Sequence, residues 1–231
     1  MKISKIEIFN NNQTKIFQKN LNFSAKPPLE SFTKLSKDVL EKKMTEKEKM
    51  LAGVMYFAGD AELRKDLEFA QDLWFKFNNL HPSKIKEKKQ IIKQLLGKTG
   101  EHFIIKPDFK CDYGYNIEIG ERFFANYNLL ILDTAKVTFG DNVLIGPNCS
   151  FYTAEHPLDP VIRATGQQIA KPIKVGNNVW FGGNVTVLGG VNIGDNVVVG
   201  AGSVVTKDLP SNTLCIGTPC RPVKQIPINK K

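Results

Sequence analysis

Histidine is the side chain best suited to take a proton from a hydroxyl near neutral pH, and the sequence contains three histidines. His81 precedes a proline at the predicted end of a helix, and His102 stands in a predicted linker. His156 lies where a regular sequence repeat gives way to a polar segment, residues 156–172. Because function in repeat proteins concentrates in such excursions, we interpret His156 as a general base.

The rest of the sequence holds no motif for a covalent mechanism or a metal. There is no serine or cysteine nucleophile motif, P-loop or HExxH, so we expect direct transfer to an acceptor. The cysteines form no CxxC pair and have no histidine at zinc spacing, which predicts buried thiols in a reducing compartment and no metal cofactor. These cysteines are Cys111, Cys149, Cys215 and Cys220.

Charge and hydropathy argue against two classes of partner. The net charge is +9, but the basic residues concentrate at both ends and in residues 82–110, whereas residues 111–210 are slightly acidic. A nucleic-acid binder more often carries one basic stripe with interleaved aromatic residues. No apolar run approaches the roughly 18 residues of a membrane helix, and residues 1–24 lack the apolar core of a signal peptide. We predict a cytoplasmic protein without nucleic-acid or membrane partners; the basic, acid-poor N-terminus leaves an organelle transit peptide as the alternative.

The repeat itself predicts the fold. An apolar, β-favouring residue recurs at every sixth position from 175 to 205 and is usually followed by glycine. A period of six is typical of a parallel β-helix, in which the apolar residue points into the tube and the small residue takes the corner. Ile119 precedes another match, Phe139, by twenty positions, two more than three repeats, which predicts a bulge or insertion. The repeated residues are Val175, Phe181, Val187, Ile193, Val199 and Val205.

Helical patterns precede the repeat. Residues 45–100 contain three helical segments, the first opened by a Thr45–Glu48 capping box and the third by Ser83 as N-cap. We expect the segment before them to be dispensable for assembly and activity, because it lacks the repeat. The chain thus divides into an extension, a helical cap, the β-helix with its loop and a C-terminal tail, which span residues 1–44, 45–100, 101–210 (loop 156–172) and 211–231.

Several short motifs are more specific than the period. They are MLAG at 50–53 with Tyr56, CDYGYN at 111–116, FANYN at 124–128, YTAEHP at 152–157, GNNVW at 176–180 and GAGSVVTKD at 200–208. Together they resemble the maltose/galactoside O-acetyltransferase family of hexapeptide-repeat acyltransferases. The resemblance extends from Thr45 to Lys224 and leaves out residues 1–44.

This resemblance implies a mainly β fold, a left-handed parallel β-helix with a small N-terminal helical cap. It also implies a homotrimer with active sites in clefts between neighbouring tubes, and acetyl-CoA as the donor. By the family match, His156 is the base on the acceptor hydroxyl, Asn126 binds the acceptor and Trp180 lies at the cleft. The positions that match the CoA-binding residues are Gly183, Ala201, Thr206, Lys207, Arg221 and Lys224.

Departures from the family pattern concern the acceptor and the oxyanion. Gly183 stands where relatives often have serine, which leaves a backbone N–H to support the oxyanion. Ala58 stands where galactoside enzymes have an aspartate, although Asp60 is near, and residues 133–134 (Asp-Thr) replace an Asp-Asp pair. These departures bear on sugar specificity rather than on the reaction class.

The sequence therefore favours an acetyl-CoA-dependent O-acetyltransferase acting on a sugar or a similar small hydroxyl acceptor. Two alternatives stay open: acetylation of an amino sugar or a hydroxyl-bearing antibiotic by the same fold, and a non-catalytic β-helix scaffold. A metal-dependent β-helix enzyme needs a set of histidines that three dispersed ones do not supply. The run Val179, Trp180 and Phe181 on a flat face of the tube predicts the trimer, because exposed apolar area requires a neighbour.

Overall fold

The computed structural model describes residues 44–227, so the predicted extension lies outside the described residues except for Met44. None of the helices in the described residues is long and apolar enough to cross a membrane. The helical cap at the start of this range consists of α1 (Glu46–Leu51), β1 (Tyr56–Phe57), α2 (Ala61–Asn79) and α3 (Ile85–Leu95).

Local capping sets where these helices begin. The predicted capping box of α1 is confirmed, because the Thr45 hydroxyl accepts the Glu48 N–H at 3.1 Å and the Glu48 carboxylate accepts the Thr45 N–H at 2.9 Å. The predicted Ser83 cap is wrong, because α3 begins after Lys84 without a side-chain cap. Ser83 instead hydrogen-bonds to the His81 ring at 2.9 Å.

The cap closes the N-terminal end of the β-helix. Helices α2 and α3 each turn one apolar face inward, and these residues join the same buried cluster as the inward-facing residues of the tube. Packing of an apolar helix face against the open end of a solenoid removes its first coil from water. The buried helix residues of this cluster are Ala70, Leu73, Phe77, Ile91, Ile92 and Leu95.

The β-helix has three faces, each a sheet of parallel strands stacked along the tube. The first face consists of β4 (Ile117–Ile119), β7 (Val137–Phe139), β12 (Ile173–Val175) and β15 (Asn192–Ile193). The second consists of β2 (Phe103–Ile105), β5 (Phe123–Ala125), β8 (Leu144–Ile145), β13 (Trp180–Phe181), β16 (Val198–Val199) and β18 (Thr213–Gly217), with β19 (Cys220–Gln225) antiparallel at its end. The third consists of β3 (Phe109–Cys111), β6 (Leu129–Leu132), β9 (Ser150–Tyr152), β14 (Thr186–Leu188) and β17 (Val204–Val205).

Three corners connect these faces. The first corner leads from the first face to the second, the second corner from the second face to the third, and the third corner back to the first face. The predicted phase slip is explained at the third corner: Ile119 pairs directly with Phe139, so this coil takes twenty residues. Val187 pairs with Val205 in a coil of eighteen.

The interior of the tube is mostly apolar, and the predicted parallel β-helix with a helical cap is confirmed. The period-six residues from Val175 to Val205 are all buried. Four phenylalanine rings stack edge-to-face along the axis at centroid distances of 5.0–5.3 Å: Phe123, Phe139, Phe151 and Phe181. The expectation that Val179 and Phe181 lie on the outer face is wrong. Both are buried, because alternate strand residues point inward, and only Trp180 of that run faces out, with 53% exposure.

Candidate functional site

The third corner departs from the repeat in successive coils. It is lengthened at residues 112–116 and at 133–136, and next carries an insertion that opens into β10 (Ala154–Glu155), α4 (Pro160–Arg163) and β11 (Gln167–Ala170). β11 pairs antiparallel with β10 on one side and with β1 of the cap on the other. His156 directly follows β10, so the tube and the cap jointly fix the backbone that carries the imidazole.

The His156 side chain is exposed, and the loop beyond it is ordered by other groups. Arg163 Nη1 donates to the carbonyl oxygens of Pro157 at 2.9 Å and Leu158 at 3.1 Å. The Asp159 side chain caps α4. The loop therefore takes its shape without using the imidazole, which leaves the ring open to a substrate.

The carboxylate next to the histidine has a different partner. Glu155 accepts a hydrogen bond from Lys171 Nζ at 2.7 Å, an ion pair in which both side chains are partly exposed. Lys171, rather than the ring, is the partner of this carboxylate.

The lengthened third corner buries an acid. Asp133 is 0% exposed, and its Oδ1 accepts the backbone N–H groups of Asp112 at 3.0 Å and Tyr113 at 2.9 Å. Burial raises the pKa of Asp133 to about 7 and the pKa of the partly buried Asp112 to about 6. Desolvation is the largest cause of both shifts, and among residues 44–227 neither carboxylate forms an ion pair that would offset it.

A buried hydroxyl repeats this arrangement one coil further on. Thr153 Oγ1 donates to the Leu132 carbonyl at 2.6 Å and accepts the Ala135 N–H at 2.9 Å. It also shares a hydrogen bond of 3.0 Å with the hydroxyl of Thr134. Successive coils at this corner are thus joined by buried side-chain to backbone hydrogen bonds directly beneath the start of β10.

A tyrosine of the cap reaches across to the insertion. The Tyr56 hydroxyl donates to Gln168 Oε1 at 2.9 Å, and the two residues are also paired between β1 and β11. Burial raises the pKa of Tyr56 to about 12, so the phenol stays neutral and keeps its proton for this bond. Sequence reasoning missed the pair, since 112 positions separate its members; the only signal was the loss of the repeat around Gln168.

Other predicted site residues form a column along the second corner. Asn126, Gly183 and Ala201 follow strands β5, β13 and β16 of the second face. Asn126 Oδ1 accepts the N–H of Tyr127 at 2.9 Å. The three atoms nearest to a Cβ atom built on Gly183 all belong to Pro147 and lie at 3.4–3.5 Å, an ordinary contact distance, so a serine would fit there. Crowding does not explain the glycine.

Within one chain His156 and this column do not meet. The column lies at the second corner and His156 at the third, with the third face between them. A side of about six extended residues spans roughly 15–20 Å. Thr206 and Lys207 follow β17 and therefore lie at the third corner, closer to the C-terminal end of the tube.

The remaining predicted contacts lie on exposed surface. Arg221 and Lys224 are exposed on β19, where Arg221 Nη1 donates to the carbonyl of Cys220 at 2.7 Å and Lys224 stands opposite Leu214. Trp180 projects from the second face. Among residues 44–227 no group of three or more His, Cys, Asp and Glu side chains could hold a metal ion. The four cysteines are free and buried.

The cap and the C-terminal coils of the β-helix each match a known family model. Residues 49–100, which form the cap, match the maltose acetyltransferase hexapeptide capping motif. Residues 172–207, in the C-terminal coils, match the hexapeptide repeat of succinyl-transferase.

Relatives extend the match over most of the described chain. Galactoside O-acetyltransferase of Escherichia coli is 45% identical over 154 residues, which is 67% of this chain and 76% of the relative. The crystal structure of a maltose O-acetyltransferase from Clostridium difficile is 48% identical with a TM-score of 0.79, and the match covers 80% of this chain and 99% of that one. A hexapeptide-repeat acetyltransferase of Vibrio cholerae complexed with acetyl coenzyme A is 39% identical with a TM-score of 0.75, covering 80% and 100%. This chain therefore belongs to the maltose/galactoside O-acetyltransferase family of hexapeptide-repeat acetyltransferases.

Proposed function

We propose that the chain is an acetyl-CoA-dependent O-acetyltransferase that acts directly on a hydroxyl of a sugar or a similar small acceptor, in a ternary complex. The observation that carries this proposal is the third corner, where an insertion that pairs with the cap through β11 presents an exposed His156. The names of the galactoside and maltose enzymes among its relatives support a sugar acceptor. The Vibrio relative, which binds acetyl coenzyme A, supports the donor.

The chemistry assigned to His156 is general-base catalysis. Its neutral imidazole takes the proton of the acceptor hydroxyl as the oxygen attacks the thioester carbonyl, and the protonated ring returns that proton to the departing CoA sulfur. The Gly183 N–H supports the negative charge on the carbonyl oxygen, and Asn126 binds the acceptor. The products are the acetyl ester and free CoA thiol, and the imidazole ends each cycle neutral.

The donor lies along the coils nearer the C-terminus in this proposal. Ala201 provides a small residue at the second corner, and Thr206 with Lys207 provides polar groups at the third. Arg221 and Lys224 on β19 offer two cations for the CoA phosphates, the arginine as a fork and the lysine as a point charge.

The site is completed by a neighbouring subunit in a homotrimer. His156 and Asn126 stand at opposite ends of one face, so a cleft between two tubes can join them although a single chain does not. The second face supports such assembly, because its outward residues form an apolar stripe that water would otherwise cover. That stripe consists of Ile104, Phe124, Leu144, Trp180, Val198 and Leu214.

The test is the substitution His156→Ala, assayed by thiol release from acetyl-CoA with a panel of sugars and amines. We expect kcat/KM to fall by about 10²–10⁴, the range usual for loss of a general base. The thermal midpoint should not change, because the ring is exposed and its loss opens no cavity.

His102→Ala is the matched control, since that exposed histidine pairs with Glu121 far along the chain from the insertion. A folded His156→Ala protein with more than about a tenth of the original kcat/KM would contradict the assignment. If only amines are acetylated, the acceptor is an amine rather than a hydroxyl compound. If no acceptor gives thiol release, a non-catalytic scaffold is favoured.

A further inference from the structure

Asp133 is a fully buried acid that holds a loop rather than an ion. One oxygen, Oδ1, accepts the N–H groups of Asp112 and Tyr113, and its own main-chain carbonyl accepts from Asn116 Nδ2 at 2.8 Å. The other oxygen, Oδ2, is buried with no hydrogen-bond partner among residues 44–227. A buried carboxyl group costs desolvation free energy, and the two backbone N–H groups that Asp133 holds point to a role in the geometry of the loop. We call residues 112–116 the anchored loop.

The anchored loop is fastened to the cap. The Tyr115 hydroxyl donates to Asp66 of α2 at 3.1 Å, and Lys47 Nζ of α1 lies 5.0 Å from the centroid of the Tyr115 ring. Lys47 also pairs with Asp66 at 2.7 Å. Two side chains from two helices thus converge on Tyr115, and these contacts fasten the anchored loop to the cap.

The cap in turn reaches the strand that bears His156. Tyr113 of the anchored loop packs in one buried cluster with Tyr56 of β1. Tyr56 hydrogen-bonds to Gln168 of β11, and β11 pairs with β10, which ends one residue before His156. A continuous chain of contacts therefore runs from the buried carboxyl group to the backbone of the proposed base.

We infer that Asp133 is a positioning residue for the acceptor side of the site, acting through the anchored loop and the cap on the His156 backbone. This inference rests on the proposed role of His156. Asp133 touches no reacting atom, because it is fully buried. Its loss should therefore disturb the acceptor and the base, and spare the donor, whose matched residues lie on the second corner and on the C-terminal coils.

The test compares Asp133→Ala, Asp133→Asn and Asp141→Ala in the full-length protein. Asparagine keeps an oxygen to accept the two N–H groups, and alanine does not. We expect Asp133→Ala to lower kcat/KM for the acceptor by about 10- to 100-fold, the loss typical of a misplaced catalytic group, with KM for acetyl-CoA unchanged. Asp133→Asn should keep most of the original kcat/KM for the acceptor.

Asp141→Ala is the structural control. Asp141 Oδ1 accepts the Glu121 N–H at 2.8 Å, the same device between coils, but at the exposed first corner. We expect it to lower the thermal midpoint without changing acceptor kinetics. If Asp133→Ala behaves like Asp141→Ala, with stability reduced and acceptor kinetics intact, Asp133 is only structural and the inference is wrong.

Two further measurements keep the inference testable if Asp133→Ala does not fold or if the chain acetylates no acceptor. Tyr56→Phe removes the side-chain bond to Gln168 and leaves the β1–β11 pairing and the core in place, and it should also lower kcat/KM for the acceptor. Hydrogen exchange of residues 154–170 needs no activity. Faster exchange there in Asp133→Ala or Tyr56→Phe, and not in Asp141→Ala, supports the inference; unchanged exchange in both overturns it, whereas absent activity in the unsubstituted protein overturns only the proposed function.

Discussion

The first and third corners of this β-helix both join successive coils by side-chain hydrogen bonds, but the groups involved are exposed at the first corner and buried at the third. At the first corner an asparagine with positive φ recurs in four coils, and each side chain hydrogen-bonds to the next: Asn142, Asn178, Asn196 and Asn212. The residue before each of them accepts a backbone N–H from the preceding coil, and all of these groups are exposed or half-exposed. At the third corner the first two coils are each two residues longer than the coil that follows the insertion, the next coil carries the insertion itself, and the corresponding acceptors, Asp133 and Thr153, are buried.

The difference shows what regularity and irregularity each contribute. The repeated ladder continues the fold in small, equal steps, and water can replace any one of its bonds. The third corner gives up that repetition and removes polar groups from water, which raises the pKa of Asp133 and Asp112. In return it holds the cap and the insertion, so that the proposed base stands on a supported backbone.

The largest expected difference between the two corners is that Asp133, at the third corner, makes the stability of the protein depend on pH. Its pKa is about 4 in an unfolded chain and about 7 here, so the folded protein keeps a proton that the unfolded chain has released. The stability that this proton supplies is lost as pH rises from about 4 to about 7. Asp133→Asn does not titrate, so its free energy of unfolding relative to the unsubstituted protein should increase between pH 5 and pH 8, by on the order of a few kcal/mol.

Chemical denaturation at the two pH values measures this difference. Cys111, Tyr113 and Tyr115 face Asp133, and because burial raises the pKa of each they stay neutral in this range. Asp112→Asn should show the same trend with a smaller size, since burial raises the pKa of Asp112 only to about 6. A relative stability of Asp133→Asn that is flat or falls with pH would show that the buried carboxyl is not held neutral.

The regular part of the molecule was predictable and the irregular part was not, for a physical reason. A period of six identifies inward-facing residues such as Val187 and Val199, because each coil repeats the same local geometry. The hand of the coil rests on the resemblance alone, since ordinary parallel crossovers are right-handed. The sequence showed the two extra residues between Ile119 and Phe139, but it did not show that they lie at the corner that carries Asp133.

The candidate site depends on contacts that no local pattern encodes. Tyr56 and Gln168 pair across the cap and the insertion, and Asp133 reaches back a full coil to Tyr113. His156 was proposed because the repeat fails beside it, whereas its separation from Asn126 follows only from the stacking of the coils. The expectation for Val179 and Phe181 failed because strand alternation, not apolar character, decides which residues face outward.

A smaller effect on stability is expected from substituting two glycines, one at the first corner and one at the second, that differ in how closely neighbouring atoms approach them. A Cβ atom on Gly140, at the first corner, would meet the backbone of Gly176 at 2.9 Å and the side chain of Asn177 at 2.5 Å. On Gly183 the three nearest atoms all belong to Pro147 and lie at 3.4–3.5 Å. Gly140→Ala should therefore lower the free energy of unfolding by about 1–3 kcal/mol, as overpacking does, and Gly183→Ala should be close to neutral. Equal losses in thermal denaturation would show that coil spacing is not set by close backbone approach.

The smallest effect tests whether the asparagine ladder serves hydrogen bonding or backbone conformation. Asn178 has φ of 56° and exchanges side-chain hydrogen bonds with Asn142 at 2.9 Å and Asn196 at 3.0 Å. Asn178→Gly removes these exposed bonds but adopts positive φ freely, so it should lower stability by about 0.5–1.5 kcal/mol or less. Asn178→Ala loses the same bonds and also strains the backbone, which adds about 1–2 kcal/mol. Neither variant should change acceptor kinetics, since the first corner lies away from His156; if glycine is as damaging as alanine, the side-chain ladder itself, and not the left-handed turn, holds the first corner.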